Sequence, residues 1–178
     1  SAAAAIDALP KIAVERGKPI RVATREEAER EIAALEKVGA RLIALGEPDY
    51  PATLRNIHAA PPLICVRGDI NVLRRPMVAF VGSRNASAAG LAFTERLTRD
   101  LAASGYVIVS GLARGVDARA HRSSVGTGTI AVLAGGLDKV YPTEHVALAD
   151  EIAERGALVT EMPMGWEPRG RDFPRRNR

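Results

Sequence analysis

The chain has 178 residues and a mass of 18.9 kDa, room for one ordinary domain or for one domain and part of another. At 47% hydrophobic and 26% charged it sits near the globular average, which excludes collagen-like, coiled-coil and disordered chains, and no apolar run nears the roughly 20 residues that span a bilayer. The net charge of +4 is local: residues 1–168 hold 20 basic and 20 acidic side chains, whereas Arg169 to Arg178 hold five Arg and one Asp.

Residues 1–10 are alanine-rich and lack a basic lead-in. Asp7 and Pro10 interrupt them, so they do not read as a signal peptide. Ile6, Leu9 and Ile12 share one side of a short helix over 2–14, too short to hold a core of its own. It reads as the end of a helical domain whose beginning lies outside the chain, which opens with Ser rather than Met. Thr24 caps a helix over 25–38, with Ala28, Ile32, Leu35 and Val38 spaced as one buried face and Gly39 as its stop. A strand over 41–45, a proline-rich turn region over 46–62 and a second strand over 63–66 follow. Cys65, the single cysteine, has no partner for an internal disulfide, and a cytoplasmic location fits.

From Met77 the pattern becomes regular. Apolar strands are expected over 78–81, 106–109, 129–133 and 157–160. Helices are expected over 88–104 (capped by Ser87, with Leu91, Thr94, Leu97 and Leu101 inward), 116–124 and 142–155. Strands that are apolar throughout and alternate with helices imply parallel strands buried on both faces, joined by right-handed crossovers. The fold class is α/β: an extended, Rossmann-like, doubly wound, mostly parallel sheet.

Each of these strands ends in a loop that pairs Gly with a polar or charged residue. Ligands of open parallel sheets bind at the carboxyl ends of the strands, where Gly permits close backbone approach and helix N-termini attract anions. Gly82, Ser83 and Arg84 form one candidate phosphate cradle. Ser110, Gly111, Arg114 and Gly115 form a second, and Gly136 lies in a third loop. Against this stands the plainer reading that Gly merely makes the strand-to-helix turn. No G-x-x-x-x-G-K-[ST] is present, and no acidic residue ends the strand before Ser110, which disfavours a P-loop and NAD. Asp117 and His121, four apart on one helix, are counted among the candidate nucleic-acid contacts at the crevice and also fit an acid–base pair, half a metal site, or plain helix-start and filler residues. His58 and His145 have no evident partners in sequence, and Glu161 ends a strand where it can orient a loop or act as a base. The segment with Arg169, Arg171, Phe173, Arg175, Arg176 and Arg178 combines guanidiniums with an aromatic ring, as single-strand binding requires.

Val81-Gly82-Ser83-Arg84, Ser110-Gly111-Leu112-Ala113-Arg114-Gly115-Val116-Asp117 with Ala120-His121, Gly136-Leu137-Asp138 with Tyr141-Pro142, and Phe173-Pro174-Arg175-Arg176-Asn177-Arg178 together resemble the DNA-processing protein A (DprA, Smf) family. Tyr50-Pro51 with Leu54 and Arg67-Gly68-Asp69 match its pattern upstream, so the resemblance covers 20–178. It implies a remnant of an N-terminal helical (SAM/HhH-like) domain over 1–19 and the family's domain over 20–178. That domain normally continues past the final motif, so the sheet is expected to be incomplete and the basic segment to fold back toward the crevice. The family binds single-stranded DNA without sequence preference, forms homodimers and loads the RecA recombinase in natural transformation, with no cofactor, metal or established catalysis. By motif match, Gly82, Ser83, Arg84, the 110–115 loop, Lys139 and Tyr141 fall at its DNA-binding pocket. The rival reading is a Rossmann-like hydrolase of nucleoside monophosphates, a phosphoribohydrolase with Glu161 as base. It is weakened because Ala134-Gly135-Gly136-Leu137-Asp138 lacks that class's trailing Gly-Thr and Glu. A protein-interaction scaffold, presenting the acidic stretch 144–167 to a basic partner, is the third.

Overall fold

Thr24 caps the first helix among the described residues. The computed structural model describes residues 21–178, so the expected helix over 2–14 and the remnant over 1–19 lie outside the described residues. Thr24 Oγ1 accepts from the Glu27 N–H, and the Glu27 carboxylate accepts from the Thr24 N–H, so two unpaired amides of helix α1 (Arg25–Lys37) are satisfied reciprocally. Gly39, at φ +66°, turns the chain into strand β1. The apolar face of α1 is buried only at its end. Leu35 is buried and Val38 half-buried, while Ala28 and Ile32 are exposed.

The sheet has six strands: β1 (Ala40–Ala44), β2 (Leu63–Gly68), β3 (Met77–Ala79), β4 (Val107–Ser110), β5 (Thr129–Leu133) and β6 (Ala157–Thr160). Their order is β1-β2-β6-β5-β4-β3, with β3 to β6 mutually parallel and β2 antiparallel to both β6 and β1. Strand β3 is shorter than its apolar run. Phe80 N–H still donates to Val109 O at 2.8 Å, but the chain then leaves the sheet and Val81 is 84% exposed.

Helices α3 (Ala88–Ala103), α4 (Val116–Ser124) and α5 (Val146–Arg155) connect the parallel strands; α2 (Ala52–Arg55) is a single turn before β2. One face of the sheet packs Ala131, Leu133 and Leu158 against Leu35, Ala118, Leu148 and Ile152 of α1, α4 and α5. The opposite face packs Ile64, Val66, Val107, Ile130 and Val159 against Tyr50 and the 3₁₀ turn Ile70–Arg74. A groove of about 550 Å³ runs over that second face beside Ala79, Val109 and Val132. Helix α3 buries Thr94, Thr98 and Ala102, and Leu97 is 36% exposed, so its inward face is rotated from the leucine stripe. Small residues let α3 approach α4 closely, and Thr98 Oγ1 lies 2.6 Å from Ser123 Oγ.

Thr24→Ala removes the side-chain half of the α1 cap and is expected to lower stability by about 1 kcal/mol. A denaturant midpoint no lower than wild type would contradict the role given to this cap.

Candidate nucleic-acid interface

The carboxyl ends of β3 to β6 form one rim, and the loops leaving it interlock. After β3, Ser83 Oγ accepts from the Asn85 N–H at 3.1 Å, and Ser87 Oγ accepts from the Gly90 N–H to cap α3. Val116 N–H donates to Ser83 O at 3.2 Å. A Cβ on Gly115, which has φ +75°, would lie 2.2 Å from Ser83 O, and one on Gly82 would lie 2.6 Å from Val116. These two glycines therefore allow loop to pack on loop. Gly136 does the same in the third loop: its N–H donates to Trp166 O, and a Cβ would stand 2.5 Å from Pro163 O.

Three of the expected contact residues lie below the surface. Ser110 is buried, and its Oγ donates to Phe80 O at 2.7 Å, tying β4 to the end of β3. Asp117 is buried, and its Oδ2 accepts from Gly111 N–H at 3.1 Å and Ala113 N–H at 3.3 Å, so the loop's anion position is filled by the protein's own carboxylate. His121 is fully buried, with Nδ1 2.9 Å from Thr129 Oγ1. The Thr129 hydroxyl gives its one proton to Ile108 O at 2.6 Å, so His121 Nδ1 carries a proton and donates. Burial pushes the His121 pKa down to about 3. Asp117 and His121 thus correct the expectation of surface contacts or an acid–base pair: they hold the loop from beneath.

The basic segment folds back onto the rim, as expected. Asp172 accepts from Trp166 Nε1 at 3.0 Å and from Arg169 N–H at 2.8 Å, anchoring the start of α6 (Asp172–Asn177). These two hydrogen bonds, that of Trp166 first, hold the Asp172 carboxyl below its usual range. Arg176 points inward and donates through Nη1 to Gly111 O and, at 3.1 Å, to Val132 O. Burial lowers its pKa, opposed by the nearby Asp117. Phe173 meets Tyr141 edge-on at 5.5 Å, and the Arg84 and Arg176 guanidiniums stand 5.9 and 5.8 Å from its ring centre.

Arg84, Arg114, Tyr141, Phe173 and Arg176 converge on one shallow cleft over Gly111. Lys139, Arg175 and Arg178 lie outside its lining, and the last two border the adjoining groove. Most of the rim cations are paired. Arg114 makes a two-pronged bridge to Glu144, Lys139 Nζ lies 2.9 Å from Glu167, and Arg175 and Arg178 each reach Glu161 at 3.0 Å. Among the described residues Arg84, which is exposed, has no carboxylate partner. Sequence reasoning missed Glu144, Glu167 and also His145, whose Nδ1–H donates to Leu112 O at 2.8 Å. Each pairs across a large sequence gap, and no local spacing announces such a pair. Among the described residues no group of three or more His, Cys, Asp or Glu is placed to hold a metal.

A family model for DNA recombination-mediator protein A matches residues 41–178, and one for a DprA-like N-terminal HHH domain matches residues 1–34. DNA processing protein DprA of Bacillus subtilis is 36% identical over 152 residues, which are 84% of this chain and 51% of that protein. Protein Smf of Escherichia coli is 36% identical over 86% of this chain and 42% of its own length. The crystal structure of DNA processing protein A from Streptococcus pneumoniae superposes with a TM-score of 0.74 at 36% identity, over 82% of this chain and 52% of that one. DNA processing protein A from Helicobacter pylori, described with a single-stranded DNA binding mode, superposes with a TM-score of 0.70 at 31% identity, over 77% of this chain and 63% of that one. The chain spans about half the length, or less, of these curated relatives.

His121 gives the site a pH signature. Its pKa of about 3 lies below the ordinary 6.5, so the unfolded chain takes up a proton that the folded one refuses. The stability is whole above about pH 6.5 and is lost as pH falls toward 3, by up to about 1.4 kcal/mol per pH unit. His121→Asn, whose amide nitrogen stands where Nδ1 does and keeps a donor for Thr129 without titrating, should flatten the upper part of that slope in unfolding titrations. An unchanged slope would refute the assignment.

Proposed function

Given that the chain belongs to the DNA recombination-mediator protein A (DprA/Smf) family, we propose that it binds single-stranded DNA without sequence preference along the strand-end rim and delivers it to the RecA recombinase during natural transformation. One observation carries the reading: the exposed guanidinium of Arg84 stands with Arg114 and Tyr141 around a cleft at the carboxyl ends of the parallel strands. Phosphates sit against Arg84 and the Gly82-Ser83 turn. Arg114 and Lys139 trade their carboxylate partners for phosphate, an exchange that costs little because exposed ion pairs are each worth about 0–1 kcal/mol, and Arg175 and Arg178 meet phosphate at the border of the adjoining groove. Tyr141, 49% exposed, offers a stacking face, whereas Phe173 is already engaged by Arg84, Arg176 and Tyr141.

In this reading the domain over 20–178 acts in the cytoplasm as part of a homodimer, and no bond is broken. The solved relative from Helicobacter pylori supports single-stranded DNA as the ligand. The hydrolase alternative is less favoured because two guanidiniums occupy Glu161, its most plausible base.

Arg84→Ala should weaken binding of labelled oligothymidine and of mixed-sequence single strands alike. It should also reduce the slope of log K against log salt by about 0.7, one phosphate contact on a single strand. Unaltered affinity and slope in an anisotropy titration would sink the reading. Release of free base from a nucleoside monophosphate, abolished by Glu161→Gln, would replace it with the hydrolase.

A further inference from the structure

We infer that Arg176 is a positioning residue: its guanidinium plugs the crevice between the ends of β4 and β5 and fixes the 111–113 backbone, and it does not itself take a phosphate. The inference rests on the DNA-binding reading above and concerns how that site is built.

Arg176 differs from every other cation of the rim. Arg114, Lys139, Arg175 and Arg178 pair with carboxylates at the surface, and Arg84 is exposed. Arg176 is turned inward onto two backbone carbonyls, Gly111 O at the end of β4 and Val132 O within β5. Its Nε is buried without a partner. A ligand of an open parallel sheet would otherwise reach this place. Gly111 is shaped for the guanidinium: a Cβ there would lie 1.6 Å from Nη1 and 2.3 Å from Cζ. On the two flanking peptide units, Asp117 takes the N–H groups of Gly111 and Ala113. Two of the loop's donors are thus held by one buried anion and one of its acceptors by one inward cation, which offset each other's charge. Leu112 sits between them, fully buried at φ +59°, a conformation a leucine keeps only when its surroundings impose it. The Phe173 ring touches both Arg176 and Arg84, so the plug also sets where the exposed Arg84 stands.

A phosphate contact and a positioning residue separate in salt titrations, because only the former releases a counterion. Anisotropy with labelled oligothymidine is measured over a range of NaCl for wild type, Arg84→Ala, Arg176→Gln, Arg176→Lys and Gly111→Ala, with folding monitored by circular dichroism melts. Arg84→Ala is expected to lose about 0.7 of the slope. Arg176→Gln, Arg176→Lys and Gly111→Ala are each expected to bind about tenfold more weakly, or 1.4 kcal/mol, with the wild-type slope. The double variant of Gly111→Ala and Arg176→Gln should be no weaker than either single one. A reduced slope in Arg176→Gln, or near-wild-type affinity in Arg176→Lys, would make Arg176 a phosphate contact and overturn the inference, as would undiminished binding by all three variants. Should wild type fail to bind oligothymidine, the DNA reading falls. The plug is then judged by the melts alone, where non-additive losses for Gly111→Ala and Arg176→Gln support it and additive ones overturn it. If Arg176→Gln does not fold, Arg176→Lys and Gly111→Ala decide by the same criteria.

Discussion

The rim depends on one short stretch of backbone gripped from two sides. Asp117 holds the amides of Gly111 and Ala113, and Arg176 holds the carbonyl of Gly111 and that of Val132. Buried backbone groups demand partners, and here side chains supply them where neither helix nor sheet can. The residues beneath follow from that demand. His121 braces Thr129 on the neighbouring strand, His145 holds the carbonyl of Leu112, and Ser110 ties β4 to the end of β3. Glycine at 82, 111 and 115 reflects how closely these parts approach one another.

On the proposed DNA-binding reading, the charges above this base are arranged for exchange with phosphate. Cations with exposed carboxylate partners stay ordered in the absence of a polyanion, and the partners leave at small cost when phosphate arrives. In Arg114 the planar fork is already committed to a carboxylate, whose geometry a phosphate oxygen pair reproduces. Arg114 remains a cation throughout such an exchange, because a guanidinium stays protonated with or without its carboxylate partner. On the same reading, attraction for a polyanion is local to the rim, where Arg84, Arg114 and Arg176 line one cleft. It does not come from the small net charge of the chain.

Much of the fold was legible in the residues. The periodicities place β5, β6 and α4 at their observed bounds, and Thr24, Ser87 and Gly39 mark helix ends where they stand. Misreadings arose where packing overrode pattern. Leu97 is displaced from the inward face of α3 because Thr94, Thr98 and Ala102 permit a closer contact than leucine does. Val81 is apolar and next to a strand, but its backbone has already left the sheet. Gly beside Arg at the strand ends correctly marked the rim. It did not say whether the space beside each glycine belongs to a ligand or to the protein.

Sequence by itself determined the α/β class, the family, and the rim on which the arginines and glycines gather, because these depend on local periodicity and on motifs in fixed order. Only the tertiary structure decided which of those residues meet solvent. Arg84 and Arg176 are alike in chemistry and both lie in recognisable motifs, yet one is exposed and the other fills the crevice. Their difference comes from a contact between residues 65 apart in the chain, where α6 lays a guanidinium against Gly111. Such a contact depends on how the chain folds back, and no local spacing encodes it.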